Sequence, residues 1–131
     1  MDKHYKKVKD YLLELNCEIV SENEEDGMFV VNKEEEGIKN LVLGCADPLL
    51  LMEQFIFEMN HDSLNVFKQL LMKNRDIVHG AFVLDETGRK VIFRDTLQME
   101  NLDLNEVEGS INSLSLLLSE YGEEIIKLSN Q

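Results

Sequence analysis

Apolar residues recur along this chain at two periods, and the changes between them mark its elements. Tyr5, Val8, Leu12 and Leu15 fall at steps of three and four, with Lys6, Lys7, Lys9 and Asp10 largely opposite, which predicts an amphipathic helix over residues 3–16. Three short apolar stretches follow, Cys17–Ser21, Met28–Asn32 and Ile38–Gly44, separated by the polar turns Glu22–Gly27 and Lys33–Gly37. That spacing predicts an antiparallel meander with charged turns. The stretch after Asp47-Pro48 fits neither period cleanly. Aspartate before proline is a helix-start signal, whereas Phe55, Ile56 and Phe57 favour a strand. The expectation is a long strand over 49–59, with a helix as the alternative. Pro48 then sits at the first edge of that strand, where a missing amide is tolerated.

The most legible stretch runs from Asp62 to Met99. Leu64, Phe67, Leu70 and Leu71 recur at helical spacing, so residues 63–74 read as a helix with Asp62 or Ser63 as its N-cap. Ile77 to Leu84 and Val91 to Thr96 are rich in apolar, β-branched and aromatic residues, with Asp85-Glu86-Thr87-Gly88 between them. Asp85 can bond its own turn backbone and Gly88 can take a positive φ, so this reads as a β-hairpin. A long last helix is expected from about Leu104 to Leu128, carried by Val107, Ile111, Leu114, Leu118, Tyr121, Ile125 and Leu128. Gly109 and Gly122 each cost such a helix roughly 1 kcal/mol relative to alanine, so its stripe must be packed. Leu116 and Leu117 widen the apolar surface beyond what one face needs, which points either to a helix covering a sheet or to a docking surface. The fold class expected is α+β: helix, antiparallel meander, helix, β-hairpin, long C-terminal helix.

The 131 residues, 44% of them hydrophobic and 30% charged, suit one globular domain spanning 1–131. Folding at this size removes roughly two-thirds of the unfolded surface from water, enough for a core without disulfides or metal. Charge changes the picture more. Lys and Arg total 13 against 26 Asp and Glu, a net charge of −13. Such a surface repels phosphate backbones and anionic membranes and attracts basic protein segments, so neither nucleic acid nor membrane is expected as a partner. The start MDKHYKKVKDYLLEL lacks the uninterrupted apolar region of a signal peptide, and the apolar run near Leu49–Met52 is too short to span a bilayer. With two cysteines, Cys17 and Cys45, the expectation is a cytoplasmic protein with free thiols.

No catalytic signature stands out. His4, His61 and His79 are not at metal-ligand spacing with one another or with the cysteines. Glu58, His61 and Asp62 form at most a polar loop cluster, and His79, on a predicted strand beside Gly80, reads as a core or interface histidine. Glu22–Gly27 lacks the ligand spacing of a calcium loop. The cysteines read as small buried hydrophobes. No nucleophile elbow, Walker loop or dinucleotide fingerprint is present. Arg75, Arg89 and Arg94 flank the hairpin and are expected to pair with local acids. No enzyme, metal or cofactor is indicated.

The element order, with the segment LNVFKQLLMKNRDIVHGAFVLDETGRKVIFRDTL, resembles the type III secretion chaperone-like superfamily, within it the YbjN-like and Tir-chaperone-type branch. The likeness concentrates from Leu64 to Leu104. There a helix ends in Asn74-Arg75-Asp76, a strand carries Gly80-Ala81-Phe82 before the Asp85–Gly88 turn, and a second strand runs into an Asp-rich entry to the last helix. The resemblance implies a small acidic cytoplasmic bacterial protein, a homodimer that holds a client protein segment without enzymatic activity. It implies a dimer interface on the second helix and the next strand, here Val66, Phe67, Leu70, Leu71, Ala81 and Phe82. It implies a client-binding surface on the first helix and early strands, here Tyr5, Val8, Leu12, Met28, Val30 and Leu41. The alternative is a regulatory adaptor on the same fold that binds one folded partner through a polar patch; an enzyme or ligand-binding protein would need a deep pocket with convergent polar groups.

Overall fold

A computed structural model describes residues 3–131. Its element order is α1 Lys3–Glu14, β1 Glu18–Asn23, β2 Met28–Lys33, a single 3-10 turn at Glu34–Glu36, β3 Ile38–Ala46, β4 Leu49–Glu58, α2 Leu64–Asn74, β5 Ala81–Leu84, β6 Lys90–Gln98 and α3 Leu104–Ser129. The α+β class holds, and residues 49–58 are a strand rather than a helix.

The strands form one antiparallel sheet in the order β1-β2-β3-β4-β6-β5. The first four make the expected meander. The hairpin joins it in reverse: β6 pairs along the whole of β4, and the shorter β5 becomes the outer edge. Strand length decides this arrangement, because nine-residue β6 covers β4 far better than four-residue β5 would.

One face of the sheet is buried. Phe29, Val31, Leu41, Leu43, Leu50, Met52, Val91, Phe93 and Phe82 point to it, each directly opposite another in the strand register or one pleat away. On β4 the buried positions are even up to Gln54 and odd from Phe57 onward. A bulge between Phe55 and Phe57 causes the switch, since one extra residue inverts the side-chain alternation that follows it. Helix α1 lays Tyr5, Val8 and Leu12 on this face, with the Tyr5 ring stacked on Phe29 at 4.4 Å. Helix α3 crosses it with Val107, Ile111, Leu114 and Leu117 buried. Each fully buried large apolar side chain contributes roughly 1.5–3 kcal/mol of transfer free energy.

Capping follows the sequence. The Val66 amide donates to Ser63 Oγ at 3.3 Å, which settles the N-cap of α2 on Ser63, and the Glu106 amide donates to Asp103 Oδ1 at 2.8 Å at the start of α3. The Asp85–Lys90 turn also forms as expected: the Gly88 amide donates to the Asp85 carbonyl, and Asp85 Oδ1 accepts from Thr87 Oγ1 and the Lys90 amide. These bonds hold the Asp85 carboxyl below its usual range, Thr87 contributing most.

Three expectations are corrected. The strand before the hairpin begins at Ala81, not Ile77. Residues 77–80 form a loop, because Gly80 takes φ +83° over the Phe93 ring and breaks the extended run. His79 therefore lies exposed on that loop and not on a strand. Of the three arginines, Arg94 alone forms an ion pair among the described residues, with Glu53 across β4 and β6.

Candidate protein-binding surfaces

Two of the surfaces that leave apolar side chains outside bear on the expected binding sites. The first is the outer flank of α2 and the neighbouring edge of the sheet. Val66, Leu70 and Lys73 face inward. Lys73 is drawn in by the Glu124 carboxylate of α3 and by the Tyr121 ring, 5.1 Å from its ammonium. Turning those three inward turns Leu64 and Leu71 outward, and they are 82% and 70% exposed. Between α2 and β5 runs a groove lined by Phe67, Leu70, Leu71, Phe82, Val83 and Leu84.

Of the residues expected at a dimer interface, Phe67, Leu70, Leu71 and Phe82 line this one groove. Val66 is corrected: at 1% exposure it is core, and no partner can touch it in the folded chain. Ala81 lies on the other side of β5, opposite Arg94 on the outer face of the sheet. The interface set that the resemblance implied left out Leu64 and Leu84, which also stand outward. Both flanks of α2 are apolar in sequence, so periodicity alone could not say which one the core takes.

Asn74 closes the edge of β5 within this surface. Its Oδ1 accepts from the Phe82 amide at 2.7 Å, and its Nδ2 donates to the Phe82 carbonyl at 3.1 Å. A side-chain amide thus satisfies the backbone pair that a further strand would take.

The second surface is the outer face of the sheet. Cross-strand neighbours Val30 and Val42 continue to Glu53, Arg94 and Ala81; the adjacent rows carry Met28, Gly44 and Leu51 on one side and Phe55, Ile92 and Val83 on the other. The Glu53–Arg94 ion pair divides the apolar area. Met28 lies across Gly44, where a Cβ would come within 3.1 Å of its sulfur. Phe55 is 52% exposed.

This burial pattern corrects most of the expected client-binding set. Tyr5, Val8, Leu12 and Leu41 are on the covered face and in the core, so they hold the fold together and are closed to a client. Met28 and Val30 alternate with the buried Phe29 and Val31, and they point to the accessible face. The helical stripe that marked Tyr5, Val8 and Leu12 was real, but it records packing against the sheet.

Polar side chains also tie α1 to the sheet. Tyr5 Oη donates to Glu22 Oε2 at 2.5 Å, and Lys9 Nζ pairs with Glu22 Oε1 at 3.0 Å. These two bonds lower the Glu22 carboxyl below its ordinary value, the tyrosine first. Burial, and then the Glu22 bond and charge, push the Tyr5 phenol well above its usual range. Neither Cys17 nor Cys45 is in a disulfide among the described residues; Cys17 is buried and its thiol is raised by desolvation, and Cys45 is half-buried. No group of three or more His, Cys, Asp or Glu side chains among the described residues could hold a metal ion, and no described helix is long and apolar enough to cross a membrane.

The family model CesT_Tir_1 matches residues 1–131, and the chain belongs to that family. The fold is shared with YbjN from E. coli, at TM-score 0.68 and 13% identity over 91% of each chain. It is also shared with a chain of the ExsC–ExsE complex, at TM-score 0.65 and 20% identity over 92% of this chain and 94% of that one. A third neighbour is the structure of the Yersinia pestis type III secretion chaperone SycH with a fragment of YscM2, at TM-score 0.60 and 15% identity over 97% and 100%. At these identities the likeness is one of fold. No curated protein matches the sequence.

Proposed function

We propose that this chain is a non-enzymatic, chaperone-like protein-binding module that works in the cytoplasm as a homodimer and holds a segment of a client protein. Membership of the CesT_Tir_1 family and neighbours solved in complex with other proteins, one of them a type III secretion chaperone, support protein binding. The observation that carries the reading is the apolar flank of α2, where Leu64 and Leu71 stand outward in water beside Leu84 and the half-buried Phe67. Leaving that stripe in water is costly, and a second copy presenting the same stripe would bury both. The client then lies on the outer face of the sheet, over Met28, Val30 and Val42, where the acidic surface favours a basic segment.

Light scattering of the wild type and of Leu71→Asp tests the dimer. Leu71 is exposed, so the variant keeps its fold, and its mass is expected to halve. A wild type that already runs as a monomer overturns the homodimer. Phe82→Asp is the poorer probe: Phe82 is 5% exposed, and a charge there would unfold the chain before it reported on association. Met28→Asp together with Val42→Asp is expected to release a co-purifying client while the mass of the dimer stays unchanged.

A further inference from the structure

A second groove, sharing no residue with the α2 flank, lies between the loop that follows α2 and the middle of α3. Its volume is about 210 Å³, below the roughly 300–1,000 Å³ typical of small-molecule sites, so it suits a side chain better than a free ligand. Val78 and Leu116 line it and are 84% and 61% exposed. The loop that carries Val78 is held on both sides. Ser113 Oγ donates to the His79 carbonyl at 2.6 Å, and the Ile77 amide bonds back to the Asn74 carbonyl. Gly109 lets His79 rest against α3, since even a Cβ there would stand 3.4 Å from the imidazole. The groove is thus formed in advance of any partner, which lowers the ordering cost of binding.

Its charge is one-sided. Asp76 and Glu120 line it, and neither carboxylate is in an ion pair among the described residues. Lys73, which lines the adjoining groove beyond Asp76 and Tyr121, is engaged by Glu124. Arg75 lines the groove on the other side of Asp76 and forms no ion pair with it. The field of the two acids reaches the Tyr121 phenol, which burial first, and then Glu120 and Asp76, raise above its usual range.

We infer that this groove receives an arginine- or lysine-bearing apolar segment of a partner protein, its cation between Asp76 and Glu120 and its apolar side chains on Val78 and Leu116. An amphipathic cation fits because its aliphatic stem covers the apolar wall while its charged head meets the carboxylates at the rim. The inference rests on the protein-binding reading only in taking the occupant to be a peptide.

The test is an amide-shift titration of the isotope-labelled full chain with three acetylated, amidated hexapeptides: one alternating Leu and Arg, one alternating Leu and Glu, one alternating Gly and Arg. The Leu/Arg peptide is expected to move amides of residues 76–79 and 112–121 and to bind at least tenfold tighter than either control. Asp76→Asn with Glu120→Gln, both conservative changes at the rim, is expected to weaken it at least tenfold. No shifts at millimolar peptide, equal binding by the charge variant, or equal binding of the Gly/Arg peptide would each overturn the inference. Shifts confined to Met28, Val30 and Val42 would overturn it while supporting the proposed client surface. Conversely, a monomeric wild type overturns the dimer and leaves this groove standing.

Discussion

Asn74 and Phe82 are joined by two hydrogen bonds, the Phe82 amide to Asn74 Oδ1 and Asn74 Nδ2 to the Phe82 carbonyl. The pair ties the last turn of α2 to the edge of the sheet and satisfies a buried residue's whole backbone from one side chain. Asn74→Ala leaves both groups unpartnered. We expect it to cost about 1–3 kcal/mol in urea denaturation, and to increase association at the bared edge of β5 in light scattering. Asn74→Asp keeps the acceptor, loses the donor and places a carboxylate against the Phe82 carbonyl, so it should recover little.

Lys73 and Glu124 join α2 to α3, but the two ends differ: Lys73 is nearly buried, while the Glu124 side chain is 55% exposed. Replacing the lysine by methionine keeps the stem packed and removes the charge that must be desolvated, so Lys73→Met is expected to lie within about 1 kcal/mol of wild type. Glu124→Ala leaves the ammonium with only the Tyr121 ring and is expected to cost about 1–3 kcal/mol. Chemical denaturation of both variants decides the point. If the methionine variant is the less stable of the two, the pair is a net stabiliser and this account is wrong.

Two flanks of the pH–stability curve trace to Tyr5 and Glu22. Glu22 has a folded value below its ordinary 4.5, so the stability it contributes is complete above that value and is lost as pH falls through the lowered folded one. Tyr5 is shifted upward from its ordinary 10.0, so its contribution is complete below pH 10.0 and is lost as the solution becomes more alkaline. In Tyr5→Phe the acid flank should become shallower, because the bond that does most to lower Glu22 is gone and less stability remains to be lost on acidification. Its alkaline slope should become shallower without vanishing, since Tyr121 is also raised. Thermal melts from pH 3 to pH 11 would show both effects.

Gly80 and Gly88 both hold positive φ, +83° and +75°, but their surroundings differ. A Cβ on Gly80 would lie 2.5 Å from Phe93 Cζ, whereas nothing stands within 4 Å of one on Gly88. Gly88→Ala is therefore expected to cost about 1–2 kcal/mol, the backbone term alone. Gly80→Ala adds displacement of a core ring and should cost about 2–5 kcal/mol. Equal midpoints for the two variants in denaturant would contradict this.

Local signals determined most of the elements. The heptad-like stripes of α1 and α3, the Asp85–Gly88 turn, the caps of α2 and α3 and the charged turns of the meander each depend on residues within a few positions of one another. Even the ambiguous strand at 49–58 could be read from its β-prone end, and the element order together with the segment from Leu64 to Leu97 placed the chain beside the secretion chaperones. What only the tertiary structure decided is which apolar side chains stay outside. Both flanks of α2 are apolar in sequence, and the choice to bury Val66 and Leu70 was made by β5 and by Glu124, fifty-one residues beyond Lys73. Tyr5, Val8 and Leu12 look equally suited to a client or a core until β2 brings Phe29 beneath them. The bulge between Phe55 and Phe57 and the reversed hairpin likewise depend on pairing between distant strands. Periodicity marks a surface that must be covered; what covers it is settled by packing between segments far apart in the chain.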